Sequence, residues 1–456
     1  MEERQLLTTE EILLLENLMY LPQAKEGELN LLEQGQGGSV GELVDLLEPE
    51  EPESPGESGG DGTRSGPESP GESSGDGTRS GPESQEASCE NGTRDSQEEP
   101  EPSGGDRPRS GPGADLAGAG GCMAGGGWQE LLKAVRQYPR LMQMRIHQVF
   151  RDTLPGGGGG LGALFLDVPA REAVVAFRGT ARQEWQDNFQ GGGYTDAPDR
   201  VSTWQQMRAL NWYQSLGLEG YFVTVTGHSK GGNKAKYITI LDDSVDRCLS
   251  FDGQGFSDEF VDWYKVRILL RSSRIENHNA EQDYVHLLLN DVGTSVYYRG
   301  RDYGKGDFLK NHCPNAFLLP DGQGGLHMER SCLGQTQALY WLGKFVREYL
   351  RSLTRKKKLD LLDLLGKEAG KLADGEPREA LLLTFLEEQH REMAGDLVDY
   401  AFRYGQEHPE FSQAADWLLE QTGLGKLVWA VRLFRKMWEM GEDRLLLFTE
   451  ASSGPT

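Results

Sequence analysis

Long apolar runs are missing from this sequence. None reaches the ~18–20 residues that a helix needs to cross a bilayer, so an integral membrane protein is not expected. Positive charge is also short: 47 Lys and Arg stand against 72 Asp and Glu, a formal net charge of −25. A chain this acidic lacks the electrostatic footprint of a nucleic-acid binder. The five cysteines are an odd number at unrelated spacings (Cys89, Cys122, Cys248, Cys313, Cys332) and form neither a disulfide framework nor CxxC metal pairs. The start, MEERQLLTTEEILLL, carries acids where a secretory leader carries bases, and no small-residue cleavage site follows. A reduced, cytoplasmic protein is the simplest expectation.

What is abundant is unevenly spread. Sixty glycines are about twice what the usual share of roughly 7% would give. Residues 1–127 hold 28 acids and 7 bases, net −21, which leaves 44 and 40, net −4, for residues 128–456. Within the acidic part, ESPGESGGDGTRSGP at 53–67 is followed by ESPGESSGDGTRSGP at 68–82, a 15-residue repeat without an apolar position. Such a repeat has nothing to bury against its ordering entropy. Residues 33–126 are therefore expected to be a disordered acidic insertion, with an acidic binding arm as the other reading; any protein partner of it is unknown. Four regions follow: an N-terminal helix within 1–32, the insertion at 33–126, an α/β core at 127–334 and a helical region at 335–456.

Leu6, Leu7, Leu13, Leu14, Leu18 and Leu21 fall near helical spacing over residues 6–21, with Thr8 or Thr9 and nearby Glu10 and Glu11 as an N-terminal signal. Trp128 to about Val149 reads as a helix. Leu161–Asp167 and Glu172–Arg178 alternate like two strands of a hairpin. Thr203–Leu216 reads as a helix, Tyr221–Thr226 as a buried strand and Gly232–Leu241 as a helix. Val245–Phe251, Arg274–Asn279 and Ser295–Arg301 are further strands. Strands separated by helices predict a mostly parallel α/β sheet.

The segment with most chemistry in it is Gly227-His228-Ser229-Lys230-Gly231, a G-x-S-x-G sequence between a strand and a helix. That context suits a serine on a sharp strand-to-helix turn, whose flanking glycines let other chains approach and whose following helix aims N–H groups at a developing oxyanion. An acyl-transfer serine takes two oxyanion donors. The N–H of Lys230 is one candidate; the N–H of Thr180, and its hydroxyl, at the end of Ala173-Val-Val-Ala-Phe-Arg-Gly-Thr180 is the other. Taken alone, either segment is also compatible with an ordinary polar turn.

Together, FRGT…W…D and GHSKGG resemble class 3 lipases of the α/β-hydrolase fold. The longer string GHSKGGNKAKY…RCLSFDGQGF, Tyr138-Pro-Arg-Leu-Met-Gln-Met144 and the opening EEILLLENLMYLP are similar to the Mbeg1-like proteins of bacteria. The resemblance runs from about residue 6 to 330, interrupted by the acidic insertion. It implies an α/β-hydrolase-like sheet and a Ser-Asp-His chain order. His312, in Gly306-Asp-Phe-Leu-Lys-Asn-His-Cys-Pro314, aligns with the family's histidine, with His286 and His327 as alternatives. Asp283 lies where class 3 lipases carry the triad acid, and Asp252 in the FDGQG turn is its rival.

Lys230 stands where an apolar residue is usual, either as a cation for an anionic substrate or as a side chain turned to solvent. The small, polar segment Gly191–Pro198 (GGGYTDAP) offers no apolar lid, which favours a smaller ester over interfacial triglyceride. The stripe Leu427, Val431, Phe434 and Trp438 packs against neighbouring helices or touches a membrane surface. No metal or organic cofactor is expected, since a Ser-His-Asp mechanism takes neither. The expectation is a serine hydrolase acting on a small-molecule or lipid-like acyl ester. The alternative is a protein of that fold that binds or scaffolds without chemistry.

Overall fold

The computed structural model describes residues 5–21, 31–47, 127–153, 160–180, 184–190, 200–301, 308–322, 325–373, 384 and 387–421. Its centre is a seven-stranded sheet in which spatial order follows chain order: β1 Arg145–Asp152, β2 Gly160–Asp167, β3 Glu172–Phe177, β4 Phe222–His228, β5 Arg247–Phe251, β6 Ile275–Ala280 and β7 Thr294–Tyr298. β1, β2 and β3 pair antiparallel; from β3 to β7 every pairing is parallel. This is the mostly parallel α/β sheet that the strand-helix alternation predicts, and β2–β3 is the expected hairpin. A short pair, β8 Leu319–Pro320 with β9 Leu326–His327, lies apart from it.

The helices, in chain order, are α1 Thr9–Asn17, α2 Leu31–Gln34, α3 Val40–Leu47, α4 Gly127–Arg136, α5 Pro139–Gln143, α6 Trp185–Gln190, α7 Trp204–Gln214, α8 Lys230–Leu241, α9 Asp258–Trp263, α10 Lys265–Arg271, α11 Gln337–Ser352, α12 Arg355–Ala373, α13 Arg391–Glu407 and α14 Pro409–Gln421. Strand side chains alternate between two cores. Phe165, Val174, Ala176 and Leu249 join Leu13, Leu14, Leu131 and Val135 of α1 and α4 on one face. Leu164, Leu166, Val175, Val223 and Cys248 join Ala209 of α7, Ile238 of α8 and Phe260 of α9 on the other. Covered on both faces, β2 and β3 are buried at every position, so the alternation expected of them does not correspond to one buried and one exposed face. Thr8 caps α1 in a reciprocal box with Glu11, and Thr203 caps α7 in the same way with Gln206.

Three expectations need correction. The single helix read over 128–149 is two, α4 ending at Arg136 and α5 at Gln143, and Arg145–Asp152 is the edge strand β1. A register irregularity between Ile146 and Gln148 spoils the alternation that would have marked it. The acidic insertion does not begin at residue 33. Leu32, Val40, Leu43 and Val44 are buried in α2 and α3, and Val40, Leu43, Val44 and Leu47 sit at helical spacing. The remainder, 48–126, is outside the described residues. Finally, α8 begins at Lys230 rather than Gly232, because Ser229 is its first half-turn.

The C-terminal region expected to be helical is helical over Gln337–Gln421 where described, and the stripe Leu427–Trp438 falls outside the described residues. So does the segment 191–198. Arg351 to Asp258 at 2.9 Å and Lys358 to Glu259 at 3.1 Å tie α11 and α12 to α9. Among the described residues no helix is long and apolar enough to cross a membrane.

Candidate active site

The turn between β4 and α8 is one residue long. Ser229 takes φ 57° and ψ −124°, a strained backbone for a non-glycine residue. Its N–H donates to the Phe251 carbonyl at 2.9 Å, and its own carbonyl accepts from Asn233 N–H at 3.1 Å. Glycine is obligatory around it. A Cβ at Gly231 would lie 1.8 Å from the Phe177 carbonyl oxygen, and one at Gly227 would lie 2.3 Å from the carbonyl carbon of Gly231. The strand end of β3 thus presses against the elbow and brings its own following loop alongside. A Cβ at Gly179 would be 3.2 Å from Ser229 Cβ. Thr180, next in line, is buried, and its hydroxyl has no hydrogen-bond partner.

Lys230 does not turn to solvent. Its side chain is 1% exposed and its Nζ meets Asp187 Oδ1 of α6 at 2.5 Å and the Glu184 carbonyl at 3.4 Å. Burial lowers its pKa, and Asp187 and Glu184 only partly offset that. The apolar stem accounts for the correction: it packs inward once an acid is there to match the ammonium. Only the backbone N–H of Lys230 is left for the role expected of it.

The acid and base candidates meet on the next two loops. Asp283, after β6, accepts the N–H groups of Val285 at 2.8 Å and His286 at 3.1 Å through Oδ1. Its Oδ2 lies 2.5 Å from His312 Nδ1. This contact fixes the tautomer: Nδ1–H points at the carboxylate, and Nε2 is left buried without a partner. The His312 ring is 4.6 Å, centroid to centroid, from that of His228, the residue before Ser229. Burial works to lower the His312 pKa, but Asp283 outweighs it and the net shift is upward. Burial would raise Asp283, but the two imidazoles and their hydrogen bonds hold it well below the usual carboxylate range.

The reserve candidates form a second tier behind this pair. His286 Nδ1 stands 3.0 Å from Asp283 and 3.5 Å from Asp252. Although burial opposes protonation, these two carboxylates push its pKa up to about 9. Its Nε2 faces the Gln335 side-chain amide at 3.1 Å. Rotating that amide by half a turn gives a protonated His286 an oxygen to donate to. Asp252 follows β5 at φ 44°, and its Oδ1 accepts from Ala280 N–H at 2.8 Å while Oδ2 is buried without a partner. Burial, and then the nearby Asp283 charge, push it up to about 7. Thus His312 is bonded to Asp283, not to Asp252. His327 lies in β9, outside this cluster.

Three contributors were not anticipated. Tyr20 Oη accepts from Gly179 N–H at 2.8 Å and meets His228 Nδ1 at 3.1 Å. Burial keeps His228 neutral, with its pKa well below normal, so the tyrosine hydroxyl is the natural donor to Nδ1. Glu16 Oε1 accepts the His228 N–H at 3.2 Å. The available signal was an acid and a tyrosine inside the apolar run LLLENLMYL, where neither helps a simple core helix. Asp187, the third, carries no signal beyond its place in the Trp-Asp segment.

The model of the Mbeg1-like family matches residues 135–291, from before β1 to just past His286. Over that stretch the resemblance read from the motifs holds. A search of curated proteins gives no match. Similar solved structures include Lip2 lipase from Yarrowia lipolytica, at 16% identity over 44% of this chain and 81% of that one, TM-score 0.28. A triacylglycerol lipase from Penicillium expansum is 14% identical over 34% and 70%, TM-score 0.26. A Rhizomucor miehei lipase propeptide complex is 12% identical over 35% and 58%, TM-score 0.24.

Proposed function

We propose that the chain is a serine hydrolase that cleaves a carboxylic ester or thioester through an acyl-enzyme on Ser229. One observation carries this reading: His312 is held by Asp283 through Nδ1 while its buried Nε2 has no partner. A buried, unsatisfied ring nitrogen is costly in a structural histidine and is what a general base requires. In the reaction Ser229 Oγ gives its proton to Nε2 as it attacks the acyl carbon. The N–H of Lys230 and the N–H and hydroxyl of Thr180 receive the oxyanion. The imidazolium, stabilised by Asp283, protonates the departing alcohol or thiol, and water then repeats the sequence to release the acid.

Because the His312 pKa is raised, kcat/KM rises with pH through a value above the ordinary 6.5 of histidine. The competing reading, a hydrolase-fold protein that binds without chemistry, draws on the 5% exposure of Ser229. A fluorophosphonate probe separates the two. Labelling of the wild type that disappears in Ser229→Ala supports the enzyme. Folded wild type that never labels, or labelling that survives the substitution, removes it.

A further inference from the structure

The outward side of α10 is apolar. Among the described residues ten large apolar side chains are exposed, and four of them fall within eight residues: Trp263, Val266, Leu269 and Leu270, at 61, 68, 79 and 68%. Val266, Leu269 and Leu270 stand at i, i+3 and i+4, so they share one side of α10, and Trp263 closes α9 three residues earlier. The inward side is apolar as well, since Tyr264 and Ile268 pack into the core that holds Phe260. A helix apolar on both sides is normally covered on both. Single exposed leucines are ordinary on a surface; a contiguous stripe marks a contact.

The stripe is pinned outward. Arginines of α10 and the turn after it tie its other edge to the end of α8. Arg267 Nη1 donates to the Leu241 carbonyl at 3.0 Å, Arg271 to the Ile240 carbonyl and to Asp243, and Arg274 Nη1 to the Asp243 and Val245 carbonyls at 2.8 and 2.6 Å. Charge then selects the partner. Residues 263–275 carry Lys265, Arg267, Arg271 and Arg274 and no acid, in a chain of net −25. Asp243 answers Arg271 and Asp262 borders the stripe, while Lys265 and Arg267 are exposed on either side of Val266. A second copy of α10 would bring like charge to like. The stripe Leu427–Trp438, with Arg432, Arg435 and Lys436, has the same sign, and the acidic repeat has no apolar side chain to lay on the four. An anionic lipid surface answers both chemistries at once.

We propose that α10 docks the protein on anionic phospholipid bilayers, independently of any chemistry at Ser229. Trp263, Val266, Leu269 and Leu270 enter the boundary between headgroups and acyl chains, and Lys265 and Arg267 meet the phosphates. The test is co-sedimentation of the full chain with vesicles of phosphatidylcholine alone or with about 30% phosphatidylserine, the latter supplying the negative surface. Binding to the mixed vesicles, weakened by salt, is expected for the wild type. Leu269→Gln/Leu270→Gln should weaken it at least about tenfold, and Lys265→Gln about fivefold on the mixed vesicles. Leu333→Gln, an exposed leucine outside α10, should change nothing. Melting curves check that each variant is folded, and Leu269→Gln alone is read if the pair melts early. No binding by the wild type overturns the proposal, as does binding that the double variant keeps or that Leu333→Gln loses equally. Sedimentation velocity showing a dimer that the double variant dissolves, without vesicle binding, overturns it in favour of a second copy.

Discussion

The two halves of the candidate site are held in different ways. The serine half is a backbone construction: Ser229 is fixed by a one-residue turn, by its N–H to Phe251, and by glycines against which no Cβ fits. The acid-base half is built from side chains: Asp283, His286, His312 and Asp252 come from loops up to 60 residues apart in sequence and hold one another by hydrogen bonds and charge. Backbone constructions tolerate almost no substitution but are insensitive to pH. Side-chain clusters keep the fold when altered but respond to every proton.

The sharpest break of this contrast is Gly231→Ala. A Cβ 1.8 Å from the Phe177 oxygen cannot be accommodated between β3 and α8, and the expected loss exceeds about 4 kcal/mol, read as no folded protein by circular dichroism. Asp283→Asn should instead leave the protein folded, at a lower melting point because the charge that holds the two imidazoles is gone, and lower kcat about 10⁴-fold, since the amide misdirects His312. Asp252→Asn, which keeps the bond to Ala280, should cost less than about tenfold. Equal losses for the two would merge the tiers that the hydrogen bonds separate. Between the halves stands Lys230. Lys230→Met leaves Asp187 without its cation and should destabilise by about 3 kcal/mol in urea unfolding, with recovery in the Lys230→Met/Asp187→Leu pair.

The pH response belongs to the side-chain half. The His286 pKa is raised in the folded protein to about 9, so its stabilisation is complete below the ordinary 6.5 and is lost as pH rises toward 9. Asp252, raised to about 7, loses its contribution in the same direction, from the ordinary carboxylate range up to 7. Asp283 has the opposite sign: its contribution is present above the ordinary carboxylate range and fades as pH falls through it. Unfolding free energy should therefore fall between pH 6.5 and 9, on the order of 2 kcal/mol, and His286→Gln should flatten that slope. The smallest effect is expected from deleting residues 50–115, whose apolar-free repeat has nothing to contribute to a core. Esterase activity and melting point should be unchanged, and loss of folded protein would contradict that.

The same contrast sets what could be read from the amino acids alone. The elbow is a local pattern, a strand, G-H-S-K-G-G and a helix, so it stands in the sequence almost as it stands in space. The hairpin β2–β3 and the buried β4 are legible for the same reason: each is a short apolar run ended by Gly or Pro. Asp283 and His312 are 29 residues apart, and only a family resemblance pointed to them; no spacing could. The lysine after the serine was misjudged because its partner, Asp187, is 43 residues upstream and the inward turn depends on α6 being there. β1 was hidden by its own bulge, and the first two residues of α8 by glycines whose poor helix propensity is overruled by close packing. Tyr20 and Glu16 reach the elbow from more than 200 residues away, which no local pattern encodes.

The way the chain returns to itself after that acidic stretch has a further consequence. The Gly37 and Val40 N–H groups bond Ile146 and Met144 carbonyls at 2.7 and 2.8 Å, and Asp45 meets Arg136 at 2.9 Å. Residues on both sides of 48–126 are thus stitched together without its help. A protease that nicks the stretch would yield a two-chain protein rather than a broken one. The short fragment would carry Glu16 and Tyr20, the long one Ser229, Asp283 and His312. The short piece would be retained by its leucines, all buried along α1. The two pieces, residues 1–47 and 127–456, expressed separately are therefore expected to reassemble.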